Sequence, residues 1–163
     1  MTLSQSTLAD GLAGLTPTSD VTAAISALAD AWEAYFEAAT VGPTTIATGT
    51  LAPAKAALVA ALAGLNTPGG GATAVQAGIV AWWGVVVPSA TAIWAGNTPP
   101  VLSCTPPPSL STIAAVLTPV FASNQASKLS LTAAAAAIAA ALHPLQLGGI
   151  AAVGPPAGTV PIL

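Results

Sequence analysis

The stretch DVTAAISALADAWEAYFEAAT, residues 20–40, decides the fold class because it has the period of an amphipathic helix. A side chain at Thr18, Ser19 or Asp20 can cap its N-terminus. Apolar residues recur at steps of four and three along one side: Val21, Ile25, Leu28, Trp32 and Tyr35. Acidic residues recur at the same steps on another side: Asp30, Glu33 and Glu37. We therefore predict a helix to about Thr40 with a buried apolar stripe and an exposed acidic face.

The rest of the sequence predicts further helices, separated by breaks that are rich in Pro and Gly. The predicted spans are residues 3–14, 52–65, 72–96, a segment that starts near Ser109 or Ser111, and 130–142. Pro88 is expected to kink or restart its helix, Pro119 to bend or end its helix, and Pro144 to stop the last one. The expected fold class is therefore mostly α, with about five short Ala-rich helices joined by Pro/Gly-rich loops.

The same breaks suggest how the chain is divided. Residues 1–143 are predicted to form one helical domain, with a candidate hinge at 66–71 and a polyproline-like linker at 97–108. Residues 144–163 contain four Pro, four Gly and no charge, which predicts an extended C-terminal arm. An apolar arm needs a surface to lie on. We expect a neighbouring subunit to supply it, with contacts from Val160, Ile162 and Leu163.

Charged residues are sparse throughout the chain. They make up 4% of the 163 residues, against about 25% in typical soluble proteins. Two Lys and no Arg cannot neutralise the phosphates of a nucleic acid. One Cys and one His exclude a disulfide framework and the ordinary zinc sites. We therefore expect no nucleic-acid partner, no metal and no cofactor.

No catalytic arrangement is recognisable among the reactive side chains. A nucleophile usually needs a nearby base, and the sole His, His143, lies where it is more simply a helix cap or a packed ring. Cys104 is interpreted as a small buried apolar residue. The Gly69-Gly70-Gly71 run lacks the Lys-Ser/Thr pair of a phosphate-binding loop. The three acids of the helical face could ligate a hard cation or meet a basic partner, but a solvated face is simpler. We expect neither an enzyme nor a small-molecule substrate.

Two long runs contain no charge at all: residues 56–127, which are 72 positions, and residues 129–163, which are 35. Large uncharged apolar surfaces usually mark interfaces with a protein or a membrane. Trp82, Trp83 and Trp94 lie in the first run and could be core residues, interface anchors or membrane-belt residues. We take all three as candidate interface residues. The chain is therefore expected to act inside a protein assembly or a bilayer.

The bilayer hypothesis depends on residues 77–96, whose 20 uncharged positions match the length of a spanning helix. Pro88, Ser89 and Thr91 interrupt this segment, and no Lys or Arg lies close to either end to set its orientation. A small membrane-inserting protein of the pore or lysis type is therefore the alternative, with the membrane as its location.

The uncharged runs, the Pro-rich segment Asn97–Pro108 and the arm Pro144–Leu163 resemble those of minor structural proteins of tailed-bacteriophage virions and related injection particles. The resemblance is one of composition over the whole chain, and it assigns no functional residue. It implies a homo-oligomeric structural protein at the neck, tail, baseplate or capsid surface. Its partners would be other copies of itself and other proteins of the particle. Its location would be the virion, after assembly in the host cytoplasm.

Overall fold

The computed structural model describes residues 3–15, 20–47, 49–66, 69–154 and 158–163, and the prediction of a mostly α fold is confirmed there. The helices are α1 (Gln5–Ala13), α2 (Val21–Glu37), α3 (Ala52–Ala61), α4 (Gly71–Ile93), α5 (Ile113–Ser127) and α6 (Leu131–Gln146). Short 3₁₀ turns span Leu62–Asn66 and Pro108–Thr112. The strands are β1 (Thr40–Val41), β2 (Thr44–Thr45), β3 (Val101–Thr105), β4 (Ile150–Val153) and β5 (Gly158–Pro161).

Helix α2 follows the predicted pattern closely. The Asp20 carboxylate caps it by accepting hydrogen bonds from the backbone N–H groups of Thr22, at 2.9 Å, and Ala23, at 3.3 Å. The other two predicted caps, at 18 and 19, lie outside the described residues. Ile25, Trp32 and Tyr35 of the apolar stripe are buried; Leu28 is half-buried and Val21 is exposed. The stripe therefore turns into the core only from the second turn onward.

Helix α4 is the central element of the core, and it packs against α3, α5 and β3. Its contact with α3 is close because position 78 has no side chain. A Cβ at Gly78 would lie only 2.7 Å from Leu58 Cδ1 and 3.1 Å from Leu62 Cδ2. On the other side of the core, α1 packs between α2 and α6. These two groups of helices enclose the apolar interior.

Three helices continue through a proline: α4 through Pro88, α5 through Pro119 and α6 through Pro144, which corrects the expected stop at Pro144. Proline removes one backbone donor, so the carbonyl four residues earlier loses its partner. Each proline is exposed, and so is the residue four positions before it: Gly84, Ala115 and Ala140. Water can therefore bind the freed carbonyl.

The C-terminal residues do not form a free arm, which corrects the expectation for 144–163. Residues 144–146 belong to α6, and β4 and β5 form an antiparallel hairpin that extends β3 in the order β3-β4-β5. Beyond β5, Leu163 and Thr40 exchange backbone hydrogen bonds of 2.8 and 3.1 Å. The segment is extended as predicted, but it lies on its own chain because Ala151, Val153 and Ile162 fill the core.

The structure describes the whole predicted linker, residues 97–108, but only part of the predicted hinge, residues 66–71. Part of the 97–108 linker is strand β3, whose backbone pairs with β4, so this part is not polyproline-like. The candidate hinge at 66–71 includes residues 67 and 68, which lie outside the described residues. Gly69 there has φ +76°, a conformation that favours glycine. Gly71 already begins α4.

Candidate interaction surface

The acidic face of α2 is organised around one lysine. Lys55 Nζ, on α3, lies 2.8 Å from Glu33 Oε2 and 2.5 Å from Asp30 Oδ1. The Asp30 side chain is 64% exposed, whereas that of Glu33 is 22% exposed; Glu37 is exposed. Hydrogen bonds to Asp30 and Glu33 raise the pKa of Lys55. Asp30 and Glu37 are therefore exposed as predicted, whereas Glu33 is partly buried, and the ion pairs with Lys55 join α2 to α3. No group of metal-binding side chains forms in the described residues.

His143 is held by Tyr35 rather than by a capping contact. The Tyr35 hydroxyl, which is fully buried, lies 2.9 Å from His143 Nδ1. Burial raises the pKa of Tyr35 and lowers the pKa of His143. Both shifts favour the neutral forms, so the Tyr35 hydroxyl and His143 Nδ1 share a neutral hydrogen bond, whose donor is set by the imidazole tautomer. The pair stabilises the α2–α6 contact.

This pair predicts a pH-dependent stability. Because the pKa of His143 is lower in the folded than in the unfolded protein, the unfolded state binds more protons below about pH 6.5. Stability should fall as the pH drops from 7.5 to about 5.5, with a slope of at most about 1.4 kcal/mol per pH unit from this group. Urea unfolding across this range measures it. The variant His143→Gln should lack this component, and an equal slope in both proteins would contradict the assignment.

Cys104 behaves as the sequence suggested. Its side chain is buried, with Sγ 3.9 Å from the carbonyl oxygen of Val86. Burial raises the pKa of the thiol to about 11. Since the thiolate is the reactive form, this cysteine is a poor nucleophile near neutral pH.

Most of the predicted interface residues lie inside the chain's own fold, which corrects their expected place. The side chains of Trp82, Trp83, Trp94 and Ile162 are at most 2% exposed. The rings of Trp82 and Trp83 pack edge-on against Phe36, with centroid distances of 5.3 and 5.2 Å. Because they are buried and contact Phe36 of α2, these two α4 residues belong to the core. Val160 is half-buried, and Leu163 is 44% exposed.

Exposed large apolar residues occur on several elements, among them the uncharged helix α4 and strands β3 and β4. Helix α4 and strands β3, β4 and β5 carry no charged side chain, whereas α1 and α2 carry four of the five acids. In the described residues, the exposed large apolar side chains outside α2 are Val80, Leu102, Leu129, Leu131, Leu147, Ile150 and Leu163. Leu102, at 60%, is the most exposed of them. The β3–β4–β5 sheet thus presents an uncharged face that includes Leu102 and Ile150.

An apolar cavity was not predicted from the sequence. It has a volume of about 230 Å³ and is lined by residues of all six helices. The leucine spacing of the predicted helices indicated which side chains point inward, but it contains no information on whether they fill the interior completely. The cavity lies away from the uncharged sheet face: neither Leu102 nor Ile150 lines it.

No protein-family model matches the sequence, and neither a curated protein nor a solved structure is significantly similar to the chain.

Proposed function

We propose that the chain is a non-enzymatic structural subunit of a large protein assembly, and specifically of a tailed-phage virion, at the neck, tail, baseplate or capsid surface. Its partners would be further copies of itself and other structural proteins of the particle. The observation that supports this proposal most is the uncharged, partly apolar face of the β3–β4–β5 sheet. The compositional resemblance to virion proteins supports the choice of particle.

An uncharged, partly apolar face lowers the solubility of a free monomer. Interspersed charges keep a free domain monomeric, and this face has none. Leu102 and Ile150 project from it, at 60% and 42% exposure, beside uncharged strand neighbours such as Ser103 and Thr159. Obligate interfaces are large and apolar and resemble a core cut in half. Contact with another subunit would remove these side chains from water.

The fold also restricts how the subunit would assemble. The C-terminal strands complete the chain's own sheet, and Val41 pairs with Ile162 across its end. The subunit can therefore dock as a preformed domain, without a disordered arm that must first find a neighbour. The contact with a neighbouring subunit is therefore proposed for the sheet face and not for a C-terminal arm.

The proposal predicts that introduced charge on the sheet face prevents association. The purified chain should form oligomers at micromolar concentration, and the double variant Leu102→Glu/Ile150→Glu should shift it toward monomer. Buried like charges at a self-interface cost several kcal/mol. Analytical ultracentrifugation measures the size distribution.

Val21→Glu is the matched control, because Val21 is also a large exposed apolar residue but lies on the acidic helix α2. It should leave association unchanged, and circular dichroism should show that all variants keep their helices. A wild-type chain that sediments as a sharp monomer would contradict the proposal. Equal dissociation by both kinds of variant would show that net charge, rather than this face, controls association.

The alternative proposal, insertion into a membrane, has one observation in its favour. Within the described residues α4 is the one helix long and apolar enough to cross a bilayer, judged by length and composition alone. Core helices of soluble proteins pass the same test, and α4 carries Trp82, Trp83 and Val86 into the interior. Insertion would have to open this core. Recovery of the full-length chain solely in the membrane pellet would favour this alternative over the assembly subunit.

A further inference from the structure

The cavity between the helices has a lining of one chemical kind. About 230 Å³ in volume, it is lined, among the residues that the structure describes, by apolar or aromatic ones, including Leu12, Trp32, Ile79, Ala135 and Ile138. No charged, hydroxyl or amide side chain of the described part of the chain lines it. Water needs two to four polar partners in a buried site, so a cavity of this kind excludes water but accepts apolar molecules.

The volume limits the size of the ligand. An apolar cavity of about 150 Å³ binds benzene, so a cavity about one and a half times as large holds roughly eight to ten carbon atoms. A sterol or a complete long acyl chain is too large. A short aliphatic chain fits the volume.

Trp32 adds one polar requirement. The residue lines the cavity and is 3% exposed, and its buried indole Nε1–H has no hydrogen-bond partner among the described residues. The indole N–H groups of Trp82 and Trp94 also lack a partner in the described part of the chain, but neither residue lines the cavity. A buried donor without a partner is costly, and an indole N–H can only donate. A ligand that carries an oxygen acceptor would satisfy it.

A path into the cavity exists at its rim. Leu131, at the start of α6, lines the cavity and is 44% exposed, and Leu65 and Phe121 are half-buried lining residues. A ligand can therefore enter by side-chain movement at the rim, without separation of the helices.

We propose that this cavity is a binding site for a neutral aliphatic molecule of about eight to ten carbon atoms with one oxygen acceptor, such as a medium-chain alcohol or the end of an ester-linked acyl chain. The aliphatic part contacts the leucine and isoleucine lining, and the oxygen accepts the Trp32 Nε1–H. The site is independent of the assembly function, because it lies inside the helices and not on the sheet face.

The first test is titration of the full-length chain with 1-octanol, followed by NMR of isoleucine methyl and indole N–H groups. Ile79 and Ile138 line the cavity, whereas Ile93 and Ile113 are buried elsewhere. We expect saturable shifts at the first pair and at the Trp32 indole proton, with a dissociation constant below about 1 mM, the weak end of specific binding. Trp32→Phe assigns the indole signal by its loss. Equal shifts at both isoleucine pairs, or none, would overturn the proposal.

The second test fills the cavity. Ala135 on α6 is 2% exposed and lines it, so Ala135→Leu should occupy part of the volume and weaken 1-octanol binding at least tenfold. The matched control is Ala136→Leu, the same change at an exposed position of the same helix, which should leave binding unchanged. Unaltered binding by Ala135→Leu would overturn the proposed site. If Ala135→Leu does not fold, the methyl shifts of the wild-type chain still show whether 1-octanol binds in the cavity.

Discussion

Removal of residues 147–163 is expected to abolish cooperative unfolding of the chain. The truncation deletes β4 and β5 and with them the buried side chains of Ala151, Val153 and Ile162. It also exposes Val101 on β3 and Val41 on β1 to solvent, because their strand partners Val153 and Ile162 are removed. Both valines are at most 1% exposed in the complete chain. The combined loss should exceed about 5 kcal/mol, which is comparable to the whole stability of a typical domain. Circular dichroism during urea titration measures it.

Single substitutions test whether the loss of stability comes from the buried side chains or from any change near the C-terminus. Ile162→Ala removes a side chain that is 1% exposed and should cost about 2–5 kcal/mol. Leu163→Ala, next to it, alters a side chain that is 44% exposed and should change stability by about 0.5 kcal/mol or less. A truncated chain that unfolds cooperatively at the wild-type urea midpoint would show that the strands are an appendage.

Trp83→Ala is expected to be the most damaging single substitution that we consider. The ring is 2% exposed and packs edge-on against Phe36, and its Nε1–H donates to Gln146 Oε1 at 3.2 Å. Truncation to alanine leaves a large cavity and should cost about 3–5 kcal/mol. It also leaves the Gln146 amide, 1% exposed, without this partner. Urea unfolding again measures the loss.

The control for Trp83→Ala is Trp83→Phe. Phenylalanine keeps most of the aromatic packing and loses the N–H, so it should cost clearly less than alanine. Two variants with equal losses would mean that the hydrogen bond to Gln146, and not the ring, provides most of the stabilisation. Losses below about 1 kcal/mol for both would contradict a core role for Trp83.

The helices were predicted well because a helix cap and the helical spacing of apolar residues can be recognised from residues that are close in sequence. The cap at Asp20 and the spacing of Ile25, Trp32 and Tyr35 are read from neighbouring residues, and α2 is present as expected. The continuation of α6 through Pro144 was missed for a specific reason. Whether a proline stops a helix depends on whether water can reach the freed carbonyl, and this depends on the tertiary fold.

The C-terminal strands were missed because their partners are distant in sequence. Ala151 pairs with Cys104 on one side and with Val160 on the other. The alternation of buried and exposed residues over 150–153 is weak in the sequence IAAV, where alanine suits either environment. A pairing between residues 101–105 and 150–153 has no local signal, so an extended segment could be predicted but not the surface it covers.

The candidate surface was predictable in part. The acids of α2 indicated a solvated face, yet the ion pairs of Asp30 and Glu33 with Lys55 join elements 22 or more positions apart in sequence. The tryptophans indicated large apolar contacts, but composition alone cannot distinguish a subunit interface from the chain's own core. The absence of charge from residues 56–127 was visible from the start, and the structure adds which of these residues are exposed.

The most direct test of the assembly proposal is quantitative mass spectrometry of purified particles from cells that express the gene in its native context. Our account predicts the polypeptide in the particles at a fixed copy number, with Leu102→Glu/Ile150→Glu reducing incorporation and Val21→Glu leaving it unchanged. Absence of the wild-type polypeptide from the particles, together with its recovery in the membrane pellet, would contradict the account.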